Sequence, residues 1–163
     1  MRGVEELRRA LAKFLRDNGL EAVEAWNGER RPKSGKAVAA VSLRGLESGG
    51  AGFQNYLGER YDETSGQWEE RYGKRVELTF GLDLYAATAR EVQAGLDTLR
   101  EALDQTGPAG MTALEFSAGE TVYEPDARRY MCPAKAKFSA WAVAAVREDG
   151  TFLDFEVKGE TSE

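Results

Sequence analysis

The sequence contains no histidine and a single cysteine, Cys132. Histidine is the commonest general acid–base near neutral pH and the commonest transition-metal ligand, so both of those chemistries lose their usual carrier. A Ser-His-Asp or Cys-His constellation cannot be built within one chain. One cysteine can neither close an intrachain disulfide nor supply a cysteine-rich zinc site. Proline is scarce too, at 4 residues against 18 glycines, which points to many glycine-made turns. Long apolar runs are missing, far short of the roughly 20 residues a membrane helix needs. The N-terminal MRGVEELRRALAKFLRDNG is charged and amphipathic and has no apolar stretch of secretory type, and no N-x-[ST] sequon occurs. These absences lead to the expectation of a reducing, cytosolic compartment and no membrane association.

What is present is globular. At 163 residues, with 42% hydrophobic and 31% charged, the chain fits one domain spanning residues 1–163. The net charge of −6 is spread unevenly: residues 1–36 hold 9 Lys and Arg against 6 Asp and Glu, whereas residues 37–163 hold 13 against 22. Phosphate contacts need a concentrated basic surface, so direct nucleic-acid binding is not expected. A dipolar molecule that stacks on copies of itself fits this distribution.

Val4, Leu7, Leu11, Phe14 and Leu15 recur at helical spacing, with Glu5 and Glu6 early, Arg16 late and Asn18-Gly19 as the stop, predicting a helix over 4–18. Glu21–Trp26 alternates as a strand, and Lys36–Arg44 is apolar enough for a strand covered on both faces. Gly45–Gly52 reads as a glycine-rich loop. Phe53–Tyr72 reads as a polar hairpin turning at Asp62–Gly66, and Arg75–Tyr85 as a strand with Val76, Leu78, Phe80, Leu82 and Leu84 on one face. Thr88 and Glu91 form a capping box for a second helix with the stripe Val92, Leu96, Leu99 and Leu103, stopped by Gly107-Pro108. Strands near 112–118, 131–147 and 151–158 follow, the last two joined at Glu148-Asp149-Gly150. Alanines 136, 140, 142 and 144 share a face with Phe138 and Val146, a surface that would let a helix backbone approach closely. The order implies an α+β fold: a mainly antiparallel sheet packed by two helices, with a projecting β-hairpin.

No catalytic motif survives inspection. Gly28–Ala37 resembles a phosphate loop only superficially: its glycines are too far apart, Ala37 replaces the magnesium-binding hydroxyl, and a strand follows where a helix should begin. A basic turn is the better reading, with Arg30, Arg31, Lys33 and Lys36 solvated or held for a partner. Cys132 lacks a histidine base and reads as a small core residue. The 28 carboxylates offer no spaced cluster for a hard metal, and no cofactor or metal site is expected.

The hairpin region is different. Phe53, Tyr56, Tyr61, Trp68 and Tyr72 are 5 of the 16 aromatic residues of the chain, within 20 positions, interleaved with Arg60, Arg71 and several glutamates. That mixture is too polar for a core and suits an interface, where rigid amphipathic rings bury area at small entropic cost. An ordinary hairpin whose aromatics cover a sheet edge is the competing reading. Register is open: Tyr61 opposite Trp68 would pair Arg60 with Glu69 but set Glu59 against Glu70, a clash that a partner's Arg or Lys could relieve.

The segment GFQNYLGERYDETSGQWEERYGKRVELTFGLDLYA, with SAGETVYEPDARRYMCPAKAKFSAWAVA and FLDFEVKG, resembles a prophage protein family found beside contractile-tail genes in Gram-positive bacteria. The resemblance covers nearly the whole chain, and the best-fitting role is that of a tail terminator, or tail-completion protein. It implies a small α+β protein, not an enzyme, that forms a hexameric ring capping the tail tube and offering the surface to which the head docks. Its implied partners are copies of itself, the tail tube, and sheath or neck proteins. The implied location is the bacterial host cytoplasm during assembly, then the virion or a phage-tail-like particle. Another tail component, such as a neck or baseplate adaptor, stays open, as does the more remote reading of a carboxylate- and metal-dependent hydrolase. No individual functional residue follows from the resemblance.

Overall fold

The computed structural model describes residues 3–24, 36–49, 55–105, 107–147 and 152–160. In chain order these form helix α1 (Val4–Asp17), strands β1 (Glu21–Val23), β2 (Val38–Ser48), β3 (Asn55–Asp62) and β4 (Gln67–Ala86), then helix α2 (Ala89–Leu103). A short 3-10 turn (Pro108–Gly110) leads to β5 (Thr112–Ala118), β6 (Val122–Glu124), β7 (Arg129–Cys132), β8 (Ala134–Arg147) and β9 (Phe152–Lys158). The fold is α+β: two helices on one mixed sheet whose only parallel pair among the described residues is β1 with β2.

Helix α1 ends where the Asn-Gly pair places its stop. Asn18 caps it, Gly19 takes φ 89, and the Leu20 N–H returns to the Leu15 carbonyl at 3.0 Å, so Leu20 is buried on the last turn. Glycine adopts that left-handed conformation without a Cβ clash. In α2 the predicted capping box is half made. The Thr88 hydroxyl accepts from the Glu91 N–H at 3.2 Å, whereas Glu91 Oε2 is buried without a partner.

The sheet is built on a long central pair. β4 and β8 run antiparallel from Glu69 opposite Arg147 to Gly81 opposite Lys135. Each edge of β4 carries two shorter strands end to end: β3 and then β2 on one side, β8 and then β7 on the other. β9 and β5 likewise share the outer edge of β8. At about 3.3 Å per residue, 20-residue β4 spans roughly 65 Å if straight.

The even-numbered face of β4 from Val76 to Leu84 is fully buried, together with Ala136, Phe138, Ala140 and Ala142 of β8. Both helices cover it. α1 packs on β1, β2, β9 and the 3-10 turn; α2 packs on β4 and β7. Phe80 and Phe138 meet edge to face at its centre, centroids 6.0 Å apart. Gly95 shows how tightly α2 is seated, since a Cβ there would lie 2.5 Å from Ala37 Cβ. This close helix approach falls at Ala37, just before β2, rather than on the alanine-rich face of β8 where the sequence places it.

Four expectations need correction. Residues Gly45–Ser48 are strand, not loop: β2 continues through a bulge at Arg44 and pairs as far as Ser48 with Val76. Extra backbone at a bulge accommodates glycine without breaking the ladder. Double coverage of Lys36–Arg44 holds only for its first half, because Ala37, Val38, Ala39 and Val41 are buried but Leu43 and Arg44 are exposed. The hairpin's second arm and the Arg75–Tyr85 strand are one element, β4. The predicted 131–147 strand is two, divided by Pro133, which has no N–H to donate to the ladder. Glu148-Asp149-Gly150 lies outside the described residues, though β8 and β9 do pair antiparallel.

Candidate functional site

Because β4 is continuous, the face that forms the core also runs into the hairpin. Side chains alternate, so Trp68, Glu70, Tyr72 and Lys74 share the side of Val76 and Leu78. Helix cover stops near Lys74, where α1 begins at Gly3 against the Val157 backbone, and Val157 is opposite Ala142. Past that line neither helix covers the sheet. Tyr72 has Tyr56 on one side and Ala144 on the other, with Phe155 next across; Glu70 lies between Glu59 and Val146, with Phe152 beyond. The result is a wing of aromatic and apolar groups continuous with the core yet outside it.

Two ring pairs define this wing. Tyr61 and Trp68 stack edge to face at 5.4 Å, and Tyr56 and Tyr72 are tilted at 5.5 Å. Tyr56, Tyr61, Trp68 and Phe152 are between 48% and 59% exposed, too much for anchors of a finished core. Between the ring pairs Glu59 and Glu70 face each other. The Tyr72 hydroxyl donates to Glu70 at 2.7 Å, and that bond, with desolvation and the Glu70 charge, raises the phenol above its ordinary value. Tyr56 is raised as well, first by desolvation and then by the Glu59 and Glu70 charges. Among the described residues Glu59 has no ion-pair partner.

The opposite face of the hairpin carries an ion pair of its own. Arg60 binds Glu69 at 3.0 Å, and Glu69 is buried and lies across from Arg147. The turn is also locally determined: Asp62 accepts from the Thr64 N–H at 3.0 Å and the Ser65 hydroxyl at 2.9 Å, and Gly66 takes φ 69. Those bonds hold the Asp62 carboxyl below its ordinary value.

The sequence-derived candidates thus divide. Tyr56, Tyr61, Trp68 and Tyr72 come together on the bare wing, and Arg60 is on the other face, as is Arg71 by alternation. Phe53, Arg30, Arg31 and Lys33 lie outside the described residues. Sequence reasoning missed Phe152, Val146 and Phe155, whose only signal is alternation in strands far away in the chain. It also missed a further ring pair, exposed Tyr123 with partly buried Tyr130 at 5.3 Å, in the β6–β7 hairpin.

Shallow clefts lie on the helix-free face. One, of about 400 Å³, has Glu47, Glu115, Lys135 and Lys137 among its lining residues; Lys137 is held by Glu77 at 3.7 Å and Glu115 at 4.0 Å. Cys132 is buried and its thiol points at the Gly119 carbonyl, 3.4 Å away, in the core role the sequence indicates. Among the described residues no three His, Cys, Asp or Glu side chains group to hold a metal, and no helix is long and apolar enough to cross a membrane.

Compared with protein-family models and with curated proteins, the chain matches none.

Proposed function

We propose that this chain is a structural component of a contractile phage tail or phage-tail-like particle, a tail terminator that works by assembling with copies of itself rather than by catalysis. The observation that carries the reading is the bare aromatic wing. A sheet whose core face continues past its helices, keeping Tyr61, Trp68, Tyr56 and Phe152 half in solvent, has area to bury against another protein. The wing occupies one end of an elongated sheet. A patch at one end meeting a different surface on the next copy gives a heterologous contact, which closes into a ring when the rotation allows. The family resemblance supports the hexameric ring, the tail tube and the head-docking role.

Incubating the purified protein with contractile tail tubes and imaging the mixture tests this. A ring at the head-proximal tube end is expected. Decoration of the baseplate end instead would identify a different tail component, and undecorated tubes would overturn the reading.

A further inference from the structure

Glu59 and Glu70 sit opposite each other between two aromatic pairs, and among the described residues no cationic side chain pairs with Glu59. Like charges directly across a ladder repel. Carboxylates walled by Tyr and Trp rings suit a guanidinium or ammonium group. Such a cation gains from both the charges and the ring faces. An anionic or wholly apolar occupant would leave the repulsion in place.

The other end of the same sheet presents such groups. Lys36 precedes β2 where Val38 pairs with Tyr85 at the far end of β4, and Arg90 follows Ala86 in the first turn of α2. Both are exposed, and among the described residues neither has an ion-pair partner. Arg90 is at the positive end of its helix dipole, where a cation is disfavoured unless an anion arrives. Glu70 and Tyr85 lie in one continuous strand, about 50 Å apart at 3.3 Å per residue, so one copy cannot satisfy itself.

We infer that the Glu59–Glu70 aromatic patch is the seat for Lys36 and Arg90 of a second copy, making the contact between neighbours head to tail. This rests on the ring reading above and gives that ring its polarity: the hairpin end of each copy docks on the α2 end of the next. The occupant is a second copy because the complementary charge is exposed on this chain at the opposite end, the arrangement a heterologous interface requires.

The experiment is a charge-reversal cycle read by native mass spectrometry, with circular dichroism to confirm folding. Glu59→Lys with Glu70→Lys, and separately Lys36→Glu with Arg90→Glu, are each expected to raise the concentration for half-assembly at least tenfold. Mixing the two variants is expected to restore oligomers in which they alternate one to one, since each then offers the end the other lacks. Rings formed equally well by wild type and both variants would overturn this contact and leave the ring reading standing. So would reversal variants that fold and lose assembly but do not recover on mixing. A wild type that is monomeric throughout would overturn the ring reading and this contact with it.

Discussion

Tyr61 and Trp68 face each other across the β3–β4 ladder, rings edge to face with centroids 5.4 Å apart, each about half exposed. Such a pair contributes about 0.5–1.5 kcal/mol to the hairpin beyond its buried area. Trp68→Ala is therefore expected to lower stability by no more than a few kcal/mol while raising the half-assembly concentration at least tenfold, as befits a hot-spot aromatic. Thermal melting and native mass spectrometry on one sample separate the two effects. Assembly unchanged in both Trp68→Ala and Tyr61→Ala would remove the wing from the interface.

Phe138 tests the core rather than the surface. It is fully buried against Phe80, with centroids 6.0 Å apart. Phe138→Ala is expected to cost about 3–5 kcal/mol, from lost transfer energy and the cavity left behind. Urea denaturation measures this as a lower midpoint, and a loss below about 1 kcal/mol would mean that the site collapses or is not packed as described.

Gly95 makes a prediction whose sign propensity alone gets wrong. In an unobstructed helix, Gly→Ala stabilises by about 1 kcal/mol. Here the new methyl would meet Ala37 Cβ at 2.5 Å, so Gly95→Ala is expected to destabilise, by about 1–3 kcal/mol for overpacking. Gly95→Ala combined with Ala37→Gly is expected to recover most of the loss, because the obstructing methyl is removed.

Two titrations report on the hairpin. Tyr72 is raised above its ordinary value of 10.0, mainly by donating to Glu70. A folded-state pKa above the unfolded one means stability present below the unfolded value and lost as pH rises through the folded one, so the hairpin should loosen in alkali. Ultraviolet titration of the phenols checks this, with Glu70→Gln expected to return Tyr72 toward its ordinary value. Asp62 is lowered from 3.8 by its bonds from Ser65 and Thr64. Its contribution is present above the unfolded pKa and lost as pH falls through the folded one. Asp62→Ala should remove that acid-side dependence, seen in amide exchange at the turn.

Much of this architecture was legible because it is local. The Asn18-Gly19 stop of α1, the alternation from Val76 to Leu84, and the turn at Asp62–Gly66 are each set by neighbours in sequence. Of the open registers at the hairpin, the one that forms sets Tyr61 opposite Trp68 and Arg60 opposite Glu69, despite opposing Glu59 to Glu70. What was not legible depends on distant pairing. Polar Trp68–Tyr72 and apolar Val76–Leu84 look like separate elements until β8 is seen to pair with both. Gly45–Ser48 looks like loop until β4 supplies its partner. Of the site itself, the aromatics were visible in the sequence, but not that they share the core face, nor that Val146, Phe152 and Phe155 join them from the other end of the chain.

The measurement that bears most directly on the central claim is the mass of the wild-type protein in solution across a concentration range, by sedimentation or native mass spectrometry. Assembly through two different ends predicts a discrete closed oligomer, six copies if the family resemblance holds, in equilibrium with monomer and favoured at low salt. A monomer at every concentration and salt would contradict it.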